Sequence, residues 1–191
     1  MTIYTQENNT TKFSSVANDD FIINDASNLL KDEVLLSLIN KHKQEQVPRL
    51  NMLEAYYLNR NTDILSSNRR IEDLTDKADH RAVHNYVKYV TRFIVGYLTG
   101  NPVTITHKDE KTNEIIIQLN DNNDADAINS DLALNLSIYG RAYEIVYRNQ
   151  EDKDTFKVLD PKSTFIIYDK SIDKNIIAGI RYYDTKAVDG E

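Results

Sequence analysis

His80 and His84 stand four residues apart, which puts two imidazoles on one helix face and can hold zinc if a third ligand and a catalytic glutamate join them. The stretch reads His80-Arg81-Ala82-Val83-His84, with arginine where the metalloprotease pattern needs glutamate, and the chain has no cysteine. Two partly exposed histidines near a helix start are the simpler reading. Asp121-Asn122-Asn123-Asp124-Ala125-Asp126 gathers oxygen ligands as a calcium loop does, but Ala125 takes the fifth position, Asp126 the sixth where glycine makes the turn, and Leu132 the twelfth where a bidentate glutamate belongs. Helix capping accounts for these acids more simply. Asp160, Asp169, Asp173 and Asp184 fall near expected strand ends. Nucleases collect magnesium with such groups, and ordinary turns use them too. Gly96, Gly100 and Gly140 lack the spacing of a phosphate cradle, and no Lys-Ser or Lys-Thr pair follows them. The sequence assigns no catalytic, metal-binding or cofactor-binding residue.

Composition narrows the remaining roles. The 191 residues are 40% apolar and 28% charged, enough for one core and typical of a folded chain. The longest apolar run, Phe93 to Leu98 with Gly96 inside it, is far short of the roughly 20 residues that cross a bilayer. No membrane partner is expected. A net charge of −7 argues against a sequence-reading DNA binder that gains affinity by releasing counterions from phosphates. It leaves room for a loose, mostly repulsive wall around DNA. Twelve tyrosines and no tryptophan make Tyr56, Tyr57, Tyr86, Tyr89, Tyr97, Tyr139 and Tyr143 a large part of the aromatic mass, suited equally to core edges and subunit interfaces.

The elements that position these residues follow from periodicity. Residues 1–26 are rich in Asn, Thr and Asp and read as a flexible arm that adds little to the core; residues 27–191 read as one α+β domain. A first helix is expected after Ser27 with Leu30, Val34 and Leu38 on one face, fading near Gln44, and a second with Pro48 in its first turn. A third, about Asp79 to Leu98, carries Val83, Val87, Val90, Ile94 and Tyr97 as a stripe expected to face a core, beside a second row that includes Tyr86, Tyr89 and Phe93. Its polar seam is Arg81, Asn85, Lys88 and Arg92, so most of the helix needs a cover, from its own chain or a neighbouring copy. Tyr86, Tyr89, Phe93, Arg81, Lys88 and Arg92 are the candidate subunit-interface residues.

Gly100 is expected to end that helix in the left-handed conformation, Pro102 to prevent its continuation, and Val103 to Thr106 to alternate as a short strand. A short helix around Ile115 to Leu119 and another capped by Asp124 and ended by Gly140 come next. Strands at Tyr143 to Tyr147, Phe156 to Val158, Phe165 to Tyr168 and Ile176 to Tyr183 have connections short enough for an antiparallel meander. The fold class is α+β, helices including one long buried helix and then the meander. The end at Glu191, soon after an apolar strand and with no closing helix, is that expected of a longer chain cut short.

Two phrases carry a resemblance: Gly96-Tyr97-Leu98-Thr99-Gly100-Asn101-Pro102-Val103 and Tyr139-Gly140-Arg141-Ala142-Tyr143-Glu144-Ile145-Val146-Tyr147. With Phe156 to Pro161, Phe165 to Asp169 and Ala178 to Tyr183 in the same order, the chain from about Leu50 to Asp184 resembles the portal proteins of tailed bacteriophages. The resemblance implies a wing-type segment in which Gly96, Gly100, Asn101, Pro102, Gly140, Arg141, Asp160 and Pro161 hold structural turns. It also implies a ring, usually of twelve subunits, at one capsid vertex of the virion, assembled in the bacterial host cytoplasm. Double-stranded DNA would pass through it without sequence specificity. The implied partners are the large terminase subunit and the capsid, scaffolding and head-completion proteins. Two other readings stay open: a monomeric or dimeric adaptor, and a metal-dependent DNA-processing enzyme in which the strand-end aspartates converge.

Overall fold

The computed structural model describes residues 21–24, 26–61 and 83–183. Apart from a two-residue strand at Phe21–Ile22, helices precede strands, and the chain forms two bodies, one of residues 1–51 with 140–191 and the other of residues 52–139.

In the first body, β1 (Phe21–Ile22) leads through a 3-10 turn (Ala26–Leu30) to α1 (Asp32–Lys41). Asp32 and Glu33 in the first turn of α1 and Lys41 in its last match the helix dipole. The expected break near Gln44 is absent. A π turn, His42–Gln46, joins α1 directly to α2 (Val47–Tyr57), with the Val47 N–H bonded five residues back to the His42 carbonyl. Pro48 explains the widened turn: it has no N–H to give the preceding turn, so the helix loosens there instead of ending.

β4 (Thr164–Tyr168) is the centre of a three-stranded sheet, antiparallel to β5 (Ile176–Arg181) and parallel to β1. Phe21, Phe165 and Ile167 form its buried core, with Leu38 and Ile39 of α1 packed against them. The expected arm is therefore corrected at its end, because Phe21 pairs with Ile167 and is buried; residues 1–20 lie outside those described. The meander is corrected too. β2 (Tyr143–Arg148) and β3 (Asp154–Leu159) make a separate antiparallel hairpin, and the sheet changes at the turn after Leu159. There the Asp160 carboxylate accepts the Lys162 N–H at 2.9 Å, and Pro161 is fully buried.

In the second body, α3 (Tyr86–Thr99) packs along α5 (Ala125–Tyr139), which also meets α4 (Glu110–Asn123). α3 starts at Tyr86, later than the expected Asp79. Asn85 has non-helical backbone and its side chain accepts the Lys88 N–H, which fixes the N-terminus there; residues 79–82 lie outside those described. α4 runs longer than expected, because Asp109 caps it through Thr112 and the polar Asn120–Asn123 stretch stays helical until Asp124 turns left-handed at φ 50°. Gly140 ends α5 with φ +72°.

Gly100 departs from expectation, since its backbone is right-handed (φ −68°). Glycine is needed there for space: a Cβ at Gly100 would collide with the Gly96 carbonyl oxygen, whereas one at Gly96 meets nothing within 4 Å. Gly100→Ala should destabilise the chain by about 1–3 kcal/mol. Gly96→Ala, in a helix interior, should stabilise it by up to about 1 kcal/mol. Thermal melting of the two variants reads the opposite signs directly.

Candidate assembly interface

α3 holds the chain's most unusual surface. One side faces α5: Thr91 is buried, Lys88, Val95 and Thr99 are half-buried, and Thr99 Oγ1 lies 3.2 Å from Ser130 Oγ. At about 100° per residue the opposite half of the helix carries Tyr86, Val87, Tyr89, Val90, Phe93, Ile94, Tyr97 and Leu98. All eight are exposed; Tyr86 is 71%, Tyr89 70%, Phe93 67% and Tyr97 83% accessible. The long buried helix is corrected: α3 covers the side that carries Thr91, Val95 and Thr99 and turns both apolar rows outward.

Of the expected interface residues, Tyr86, Tyr89 and Phe93 lie together on that arc. Lys88 stands apart, its ammonium 5.8 Å from the centre of the Tyr57 ring, and Arg92 is exposed at the arc's border. Arg81 falls outside the described residues. Asn85 ties the start of the helix down, giving its Nδ2–H to the Tyr57 carbonyl at 2.9 Å.

Gly100 and Asn101 form an exposed bend before Pro102, and Val103 to Thr106 is neither helix nor strand. The expected strand has no partner among the described residues. Val103, Thr104 and Ile105 instead line one side of a cleft of about 520 Å³ that Ile117, Asn120, Asp121, Asp124, Ala125, Asp126 and Asn129 complete.

The first body contains a buried polar junction with no signal strong enough to mark it in the sequence. The π turn directs His42 and Gln46 inward, both essentially inaccessible. His42 stacks on Phe165 with ring centres 4.8 Å apart, and its Nδ1 lies 2.8 Å from Tyr182 Oη. Tyr182 donates its proton to the Lys162 carbonyl at 3.0 Å, so His42 is the donor from Nδ1 and its Nε2 is a buried lone pair without a partner. Arg141 gives Nη1–H to Gln46 Oε1 at 2.7 Å. Burial, then the Arg141 charge, lowers the His42 pKa from 6.5 to about 4; burial and the same charge lower that of Arg49. Four-residue spacing of His42, Gln46 and Leu50 was the available clue.

The chemical candidates are dispersed. His84 is exposed and His80 lies outside the described residues. Asp169 serves its turn, its carboxylate accepting from Ser171 and Asn175, which holds its pKa below the ordinary carboxylate value. Asp160 serves the turn before β4, and Asp184 lies outside the described residues. No three His, Cys, Asp or Glu side chains converge as a metal site among the described residues, and no described helix is long and apolar enough to cross a membrane.

The described residues form an α+β fold that offers an exposed apolar helix surface. Residues 36–191 match the family described as phage portal protein, SPP1 Gp6-like, and the chain belongs to that family. It is similar to the portal protein of Bacillus phage SPP1, with 26% identity over 182 residues, 91% of this chain and 35% of the relative. The chain thus spans about a third of the length of that curated relative.

The His42 junction generates a pH dependence with a defined sign. Above pH 6.5 His42 is neutral folded and unfolded alike; between 6.5 and about 4 the unfolded chain takes up a proton that the folded one refuses. Stability should fall as pH drops through that window and level off below it. Denaturant unfolding of His42→Phe, which keeps the ring stack, should lack this step. Tyr182→Phe, which strands His42 Nδ1–H and the Lys162 carbonyl, should cost about 1–3 kcal/mol at pH 8.

Proposed function

We propose that the chain is a structural part of a portal ring at the capsid vertex of a tailed phage, belonging to the conduit through which double-stranded DNA is packaged and ejected. Family membership supports this reading, and the outward apolar arc of α3 is the structural observation that carries it. Fully burying a side chain such as Val, Leu or Phe is worth about 1.5–3 kcal/mol, so an exposed arc of eight apolar residues is a strong reservoir of association energy. Tyrosine and phenylalanine are enriched at the centres of such interfaces.

In this reading Tyr86, Tyr89 and Phe93 meet a neighbouring copy, with Arg92 and Arg81 along the polar border, while Lys88 stays with Tyr57 on the other side of the helix. The turns at Gly96 to Pro102, at Gly140-Arg141 and at Asp160-Pro161 fix where helix and strands leave one another. The subunits form a closed ring, probed first as a dodecamer, on which the large terminase subunit and later the head-completion proteins dock, with capsid and scaffolding proteins around it. The ring is assembled in the host cytoplasm and kept in the virion. A net charge of −7 suits a wall along which DNA slides, because a wall that displaced many counterions would hold the duplex.

Electron microscopy of the native protein from its source cells tests the ring: rings with a central hole are expected, and a compact single-subunit particle would overturn the reading. Tyr89→Asp with Phe93→Asp should shift native mass from ring to monomer, weakening association at least 100-fold, with the melting temperature of the monomer little changed.

A further inference from the structure

Val103 to Thr106 has the alternation of a strand and pairs with none among the described residues. None of its four residues makes a hydrogen bond to any described residue, and all four are exposed. Val103 and Ile105 lie on one side and Thr104 and Thr106 on the other, the alternation of a half-covered strand. Such an unpaired edge is a template for an added strand, with main-chain hydrogen bonds supplying affinity.

The cleft beside it selects what can enter. Asp121, Asp124 and Asp126 line the wall opposite Val103 to Ile105, all exposed and none in an ion pair with a described residue. A strand laid there passes three carboxylates, which favours cationic flanks and rejects anionic ones. Among this chain's strands β5 has the matching character. Among the described residues it is the edge of its sheet, and Ile176–Arg181 carries Arg181 and no acid, with Asp173 and Lys174 just before it. β2 holds one acid and one base, Glu144 and Arg148, and so does β3, Asp154 and Lys157, so each is neutral.

We propose that Val103 to Thr106 of one copy receives the free edge of β5 of a second copy, with Lys174 and Arg181 set against Asp121, Asp124 and Asp126. This rests on the portal-ring reading and names two of the surfaces that meet. Because the surfaces differ, the contact is head-to-tail, the kind that repeats around a closing ring.

Cross-linking tests it, and the absence of native cysteine makes the background clean. Copies bearing Val103→Cys, Thr104→Cys, Ile105→Cys or Thr106→Cys are each mixed with copies bearing Ile176→Cys or Arg181→Cys and oxidised, with the oligomeric state followed by light scattering. At least one mixture should give a disulfide-linked dimer that neither variant gives alone. Reversing the acids (D121K, D124K, D126K) should cut its yield about tenfold, and adding K174E and R181E on the other copy should restore it. Should the acid variant fail to fold by circular dichroism, K174E with R181E alone must lower the yield. Rings without any cross-link, or a yield indifferent to charge reversal, would overturn the pairing and leave the portal reading standing. Absence of rings in the unmodified protein would overturn both.

Discussion

Water against one half of α3 is the constraint on which the rest of this molecule turns. A helix with one apolar stripe can be satisfied by one neighbour; α3 meets α5 with the side that carries Thr99 and leaves both apolar rows outside. Folded domains are stable by only about 5–15 kcal/mol, and the uncovered arc is worth a comparable amount in transfer free energy by area. On the proposed reading, the energy that fixes the helix in its final surroundings comes from outside the fold. Its ends are held locally instead, by Asn85 at the start and by Thr99, which donates to the Val95 carbonyl and meets Ser130, at the finish. Such capping keeps a solvent-washed helix in shape before its cover arrives.

The other body spends its binding energy inward. A proline that would ordinarily end a helix widens one turn, and the wide turn carries His42 and Gln46 into the core beside Phe165. His42 reaches β5's end through Tyr182, and Gln46 reaches the start of the strand region through Arg141. Two polar contacts thus join the helical segment to residues 140 and 95 positions later, where apolar packing alone would leave register open. The unpartnered Nε2 is the cost of that arrangement, and it makes the junction sensitive to acid.

Element types were readable wherever one period persisted. Ile128, Leu132, Leu136 and Tyr139 gave α5, and the alternation from Tyr143 to Tyr147 gave β2, because period and neighbours agree there. Periodicity also found the two rows of α3 but misjudged what they face, since the same pattern describes a helix covered by its own chain and one that awaits a partner. Val103 to Thr106 failed as a strand for a related reason: alternation specifies a conformation, while a strand needs a second chain segment. β1 and the π turn were invisible locally. A two-residue strand has no period, and the effect of Pro48 depends on whether tertiary packing repays a widened turn. The resemblance to portal proteins rested on the order of several turns, and order survives divergence better than any one residue's role.

An exposed apolar helix and an open strand edge are both aggregation hazards, so a protein that carries them needs a means of refusing the wrong partner. The two surfaces divide that task. The apolar arc supplies energy without direction; any greasy surface could meet it. A strand edge supplies direction, since main-chain hydrogen bonds form in only one register and orientation at a time. In the proposed pairing, acids beside the edge add a charge condition, and a copy with net charge −7 would repel another until a basic edge is aligned. Affinity from the helix, register from the strand and selection from the carboxylates would together make association both strong and particular, as a closed assembly of identical parts requires.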